Sequence, residues 1–145
     1  MFIIKIVFFL FFSYSYCHAE NAEKWMLIVK SQSNNDYYID LNSISYTNYH
    51  TVIAWYKVIP EDKASVFDRF KHLRLFGFKS ANAQYFKVYC EIDCRRRVLR
   101  FLVTTVYDAD GGIVRRDETL NARWTSIPRQ STFDMIRDVV CKSVL

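Results

Sequence analysis

The chain has only 3 glycines and 2 prolines among 145 residues. Aromatic residues make up 17% of it. Few breakers and many rings exclude a disordered or low-complexity segment. No apolar run reaches the roughly 20 residues that a bilayer-spanning helix needs. Catalytic signatures are missing as well: there is no G-x-S-x-G elbow, no H-E-x-x-H pair and no phosphate-binding loop. Beyond the first 20 residues the only histidines are His50 and His72, and neither sits in a nucleophile motif. Internal repeats and linkers are absent too. These gaps point to one folded unit that is not an enzyme and carries no cofactor.

What is present begins with an apolar leader. Lys5 precedes Ile6-Val7-Phe8-Phe9-Leu10-Phe11-Phe12, and Cys17-His18-Ala19 offers a small residue for cleavage before Glu20. This is the pattern of a secretory signal peptide over residues 1–19. It leaves a single domain over residues 20–145, in the periplasm or secreted to the cell surface. About 126 residues can bury a real core. Loss of Lys5 lowers the formal net charge of +5 by one. After export, nucleic acid is not an expected partner. The modest positive excess suits anionic lipid headgroups, acidic glycans or acidic protein patches.

Cleavage removes Cys17 and leaves Cys90, Cys94 and Cys141, an odd number in an oxidising compartment. Cys90 and Cys94 lie in a run that alternates like a strand, with Val88, Cys90, Ile92 and Cys94 on one face. Four residues along a strand separate Cα atoms by roughly 13 Å, and a disulfide needs less than about 7 Å. Cys141 therefore bonds one of the two, and spacing leaves both choices open. Either bridge tethers the C-terminal segment to a strand. The spare thiol is expected as a small buried hydrophobe. A C-x3-C on a strand, with His50 and His72 remote, lacks zinc-ligand spacing.

Along the chain, Trp25–Lys30, Tyr37-Tyr38-Ile39-Asp40 and Thr51–Ile59 read as strands, rich in β-branched and aromatic residues. Residues 61–76 follow Pro60 and repeat Val66, Phe67, Phe70 and Leu73 at helical spacing, which predicts a helix ending before Gly77. Residues 85–94, 98–107 and 113–119 give three more strands. Leu99, Phe101, Val103 and Tyr107 are expected on the buried side of the fifth. Asp108-Ala109-Asp110-Gly111-Gly112 is a hairpin turn. Ser131 caps a last helix, with Asp134 as capping-box partner and Phe133, Ile136, Val139 and Val140 as the apolar face. Strands followed by a terminal helix predict an α+β fold on an antiparallel sheet of about six strands.

Two clusters stand out as candidate contacts. Arg95, Arg96 and Arg97 fill one turn, and Arg115 and Arg116 lie on a neighbouring strand. If the hairpins stack, all five share a sheet edge, where arginine forks suit carboxylate, sulfate or phosphate. The plainer role is a solvated turn that keeps the edge from pairing. Tyr37 and Tyr38 lead a group with Tyr46, Tyr49 and Tyr56, and tyrosine is favoured at interfaces. The plainer role is lining a half-buried sheet face. Haem would need His50, His72 or a tyrosine as axial ligand.

The order of several short motifs resembles a known family. Ile92-Asp93-Cys94-Arg95-Arg96-Arg97 is followed by Val106-Tyr107-Asp108-Ala109-Asp110-Gly111-Gly112, then by Trp124-Thr125-Ser126-Ile127-Pro128-Arg129-Gln130-Ser131 and Val139-Val140-Cys141. Trp25, Tyr37-Tyr38-Ile39-Asp40 and Val52-Ile53-Ala54-Trp55 precede them. This order is similar to the surface-adhesin protein E family of bacterial envelope proteins. The resemblance implies a six-stranded antiparallel sheet with a C-terminal helix tied to it by a disulfide. It selects Cys94 and Cys141 as the pair and leaves Cys90 free. It further implies an adhesin-like binding domain, since the family includes an outer-membrane lipoprotein that binds host matrix proteins and haem. The chain departs from the family in lacking a lipobox at Cys17 and in its longer, more helical 61–76 segment. Implied partners are a protein, a host matrix protein among them, or an anionic surface, and a homodimer is compatible. The other reading is a structural or assembly accessory in the periplasm.

Overall fold

Alternation decides which side of each strand turns inward. In Thr51–Ile59, Val52, Ala54, Tyr56 and Val58 are buried while Trp55 and Lys57 between them stay partly exposed. In Tyr85–Asp93 the same holds for Phe86, Val88, Cys90 and Ile92 against Tyr85, Lys87 and Tyr89. Register pairs these two sets directly, Val52 with Ile92 and Val58 with Phe86, so one sheet face carries the core.

The computed structural model describes residues 22–62 and 83–142. It contains strands β1 (Trp25–Lys30), β2 (Asp36–Asp40), β3 (Ser45–Asn48), β4 (Thr51–Ile59), β5 (Tyr85–Asp93), β6 (Val98–Tyr107), β7 (Ile113–Glu118) and β8 (Thr125–Ser126), then helix α1 (Thr132–Lys142). All pairings are antiparallel, in the order β1-β2-β4-β5-β6-β7, with β3 beside β4 and β8 beside β6. The predicted α+β architecture is the one observed, with two short strands added. The expected leader over residues 1–19 lies outside the described residues, and so does nearly all of the expected 61–76 helix.

β2 and β3 share one edge of β4, joined by a 3-10 turn at Leu41–Ser43. Trp55 falls between the two partners, and its N–H donates to Ser43 Oγ at 2.9 Å instead of to a strand. Asp40 caps the turn by accepting from Asn42 N at 3.1 Å. The Asp108 hairpin is tied the same way: its Oδ1 accepts from Asp110 N at 3.0 Å and Gly112 N at 2.7 Å, with Gly111 at φ 81°.

One sequence expectation fails in β6. The β5–β6 register slips between Tyr89 and Cys90, leaving Leu102 as an extra residue. A bulge inverts side-chain parity beyond it. Leu99 and Phe101 face the core as expected. Val103 and Tyr107 turn to the opposite face, and Val106 takes the buried place.

Helix α1 packs on the core face. Ile136 and Val140 are buried, and Phe133 meets Tyr37, Tyr56 and Phe101 at ring distances of 6.3, 5.7 and 5.7 Å. Ser131 Oγ accepts from Asp134 N at 3.2 Å, the expected cap. The reciprocal half differs, because Asp134 Oδ2 accepts from Gln130 N at 2.9 Å rather than from Ser131 N. Gln130 stands at φ 60°, which turns its N–H toward the carboxylate. Cys94 and Cys141 form the disulfide, with Cα atoms 5.9 Å apart, and Cys90 is the buried free thiol.

A cationic and aromatic sheet face as candidate functional site

The side chains that alternate with the core positions build a second face. Register across the strands sets them in rows. One row runs Leu27, Tyr38, Lys57, Lys87, Thr105, Arg116. Beside it lie Trp55, Tyr89, Val103 and Glu118, and on the other side Tyr85 and Tyr107. Trp25, Tyr38, Trp55, Tyr85, Tyr89 and Tyr107 are all half-buried. Among the described residues no helix covers this face.

The rings and cations here are matched to each other. Trp55 stacks on Tyr89 at 5.0 Å, and Tyr85 on Tyr107 at 4.9 Å. Lys57 Nζ lies 4.7 Å from the Trp25 ring and 4.9 Å from Tyr38. Lys87 Nζ lies 5.3 Å from Trp25 and 5.2 Å from Tyr107. Arg100 sits 4.6 Å over Trp124 and donates to Glu91 at 2.5 Å. Each cation–ring contact contributes about 0.5–1 kcal/mol at such exposure.

Lys57 and Lys87 are direct cross-strand partners, an arrangement that like charges normally disfavour. Burial and the Lys87 charge push the Lys57 ammonium below its ordinary pKa, and Glu23 acts the other way. Glu23 lies on the arm before β1. Its carboxylate accepts from Lys87 Nζ at 2.6 and 2.9 Å and from Trp25 Nε1 at 2.9 Å. Burial alone would raise the Glu23 pKa, but those bonds and the Lys87 and Lys57 charges outweigh it and hold the carboxyl below its ordinary value.

The arginines are not brought together. Arg95 and Arg96 are exposed in the turn before β6, where Arg96 N donates to Asp93 Oδ1 at 2.8 Å. Arg97, at φ 54°, pairs with Asp134 at 2.6 Å and so joins the turn to α1. Arg115 and Arg116 pair across from Val106 and Thr105, at the other end of β6 and roughly 25 Å away at strand rise. They bind Asp117 at 2.8 Å and Glu118 at 2.9 Å. Tyr37 and Tyr38 fall on opposite faces. Tyr37 lines an aromatic cavity of about 190 Å³ with Tyr56, Phe101 and Phe133, while Tyr38 supports Lys57. Tyr46, Tyr49, His50 and Arg95 border a cleft of about 320 Å³ beside the disulfide. Among the described residues no three histidine, cysteine or acidic side chains are grouped to hold a metal, and no helix is long and apolar enough to cross a membrane.

Comparison with known proteins bears on the whole framework. Crystal form II of Haemophilus influenzae protein E is similar at a TM-score of 0.57 and 20% identity, covering 81% of this chain and 87% of that one. The selenomethionine form of the same protein gives 0.55 and 20%, covering 81% and 85%. At that identity the likeness is one of fold. No curated protein matches the chain. The family described as Surface-adhesin protein E matches residues 25–142, from the first strand to the last helical residue, and this chain belongs to that family.

Proposed function

We propose that the chain is an exported, non-enzymatic binding domain of the bacterial envelope, adhesin-like, that holds a protein or an anionic surface against its second sheet face. One observation carries this reading. Six half-exposed aromatic rings alternate there with Lys57, Lys87 and Arg100, whereas the opposite face is filled by the core and α1. Tyrosine, tryptophan and arginine dominate recognition surfaces because each joins a large apolar area to a polar tip. Family membership supports an adhesin-like role and a place at the cell surface. Arg95 and Arg96, exposed and free to turn outward, add positive charge at one end.

The test is a binding screen of the secreted chain against matrix proteins, anionic vesicles and acidic glycans at two salt concentrations. A salt-sensitive binder is expected. A panel without one would overturn the reading. The edges support a second use, as an assembly accessory or homodimer: Leu27 on β1 is 52% exposed and Ile113 on β7 is 61%. Cross-linking in intact cells that traps only envelope proteins, or a second copy, would favour it.

A further inference from the structure

We infer that Lys57, Lys87 and the Trp25 indole form a carboxylate site, occupied in cis by Glu23 and able to take an acidic peptide segment of a partner protein in its place. This rests on the second face being the binding surface. The site is seen with a carboxylate in it. Glu23 uses both oxygens on Lys87, and one of them also accepts from the Trp25 indole. That is the donor geometry a partner's glutamate or aspartate would meet.

Glu23 is placed to leave without unfolding anything. Its side chain is 52% exposed. The backbone on either side is pinned independently: Asn42 Nδ2 donates to Ala22 O at 2.6 Å, Lys24 N to Asp40 Oδ1 at 2.8 Å, and Leu41 N to Lys24 O at 3.0 Å. A rotamer change at Glu23 therefore frees the site while the arm stays docked.

Charge is also unbalanced toward a second anion. Two ammonium groups face one another across β4 and β5, and among the described residues Glu23 pairs with Lys87 only. Among the described residues no carboxylate lies within ion-pair distance of Lys57, whose charge rests on the Trp25 and Tyr38 rings. An incoming acidic segment can satisfy both cations where Glu23 satisfies one. The occupant is assigned as peptide because the group already seated is a glutamate side-chain carboxylate. A lipid surface fits less well, since it favours protruding apolar tips and these rings lie half-buried and stacked on each other.

The experiment uses the secreted chain and a fluorescein-labelled hexaglutamate peptide. Anisotropy gives the affinity, and the Trp25 indole N–H resonance reports the site. Glu23→Gln is expected to tighten peptide binding about two- to fivefold, the worth of an exposed ion pair that no longer competes. Lys57→Met should weaken it about tenfold, as loss of a charged hydrogen-bond donor does. The indole resonance should move in Glu23→Gln and return toward its original position when peptide is added. Unchanged or weaker binding by Glu23→Gln, or an indole that ignores the peptide, overturns the inference. Stronger binding to a heparin oligosaccharide or phosphatidylglycerol vesicles also overturns the peptide assignment while leaving the face as a binding surface. Failure of the wider reading is separate, and is read from a whole-protein panel in which nothing binds.

Discussion

Replacing both Cys94 and Cys141 by alanine should lower stability without erasing the fold. The bridge closes a span of 47 residues between α1 and the end of β5. A loop of that size corresponds to about 4 kcal/mol in the chain-entropy view, an upper figure because unfolded chains keep some structure. What remains of the helix contact is considerable. Ile136 and Val140 are buried in the core, and Phe133 packs among three rings. A domain of this size has about 5–15 kcal/mol in total, so a loss of 2–4 leaves it folded at room temperature. The expected fall in melting temperature is on the order of 10 °C. Thermal unfolding followed by circular dichroism, with and without dithiothreitol, reads it. Reductant should bring the parent chain down to the variant and leave the variant unmoved. Equal melting temperatures for the two oxidised proteins would refute the reasoning, as would a variant that reductant destabilises further.

Other outcomes follow from the same geometry. Ile136→Ala should cost about 2–5 kcal/mol in denaturant unfolding, because it empties a fully buried site between helix and sheet. Burial pushes the Cys90 thiol from its ordinary 9.0 up to about 12. A pKa raised on folding leaves stability intact below 9.0 and removes it as pH climbs toward 12. Cys90→Ala should therefore flatten the alkaline fall between about 9 and 10, below the range where Tyr56, also raised by burial, begins to contribute. For Glu23 the sign is opposite: its lowered pKa means the contact with Lys87 and Trp25 persists at pH values that would protonate an ordinary glutamate, and is lost only further down. The Trp25 indole N–H shift followed through an acid titration checks this.

The strands could be read from the sequence because most alternate cleanly, and the terminal helix because Ser131, Asp134 and its apolar stripe agree. The second face was only half legible. Trp55 and Lys57, and Tyr85, Lys87 and Tyr89, visibly alternate with core residues. Nothing local says that Lys57 sits opposite Lys87, because that depends on register between strands far apart in sequence. The bulge at Leu102 leaves no apolar signal, so plain alternation through β6 places Val103 and Tyr107 on the wrong face. The five arginines looked like one cluster because adjacency in the hairpin order hides the length of β6. β3 carries no apolar alternation because its four residues are exposed, and it pairs with only the first residues of β4. Glu23 stands just ahead of the first strand with no motif around it. Its role appears only once the arm is laid across the sheet.

The most direct test of the second face compares two charge reversals of equal size, Lys57→Glu and Arg96→Glu, against whichever matrix protein the screen returns. Lys57→Glu should lose binding while keeping its melting temperature, and Arg96→Glu should retain most of it. Equal losses, or a loss confined to Arg96→Glu, would contradict the assignment of binding to this face.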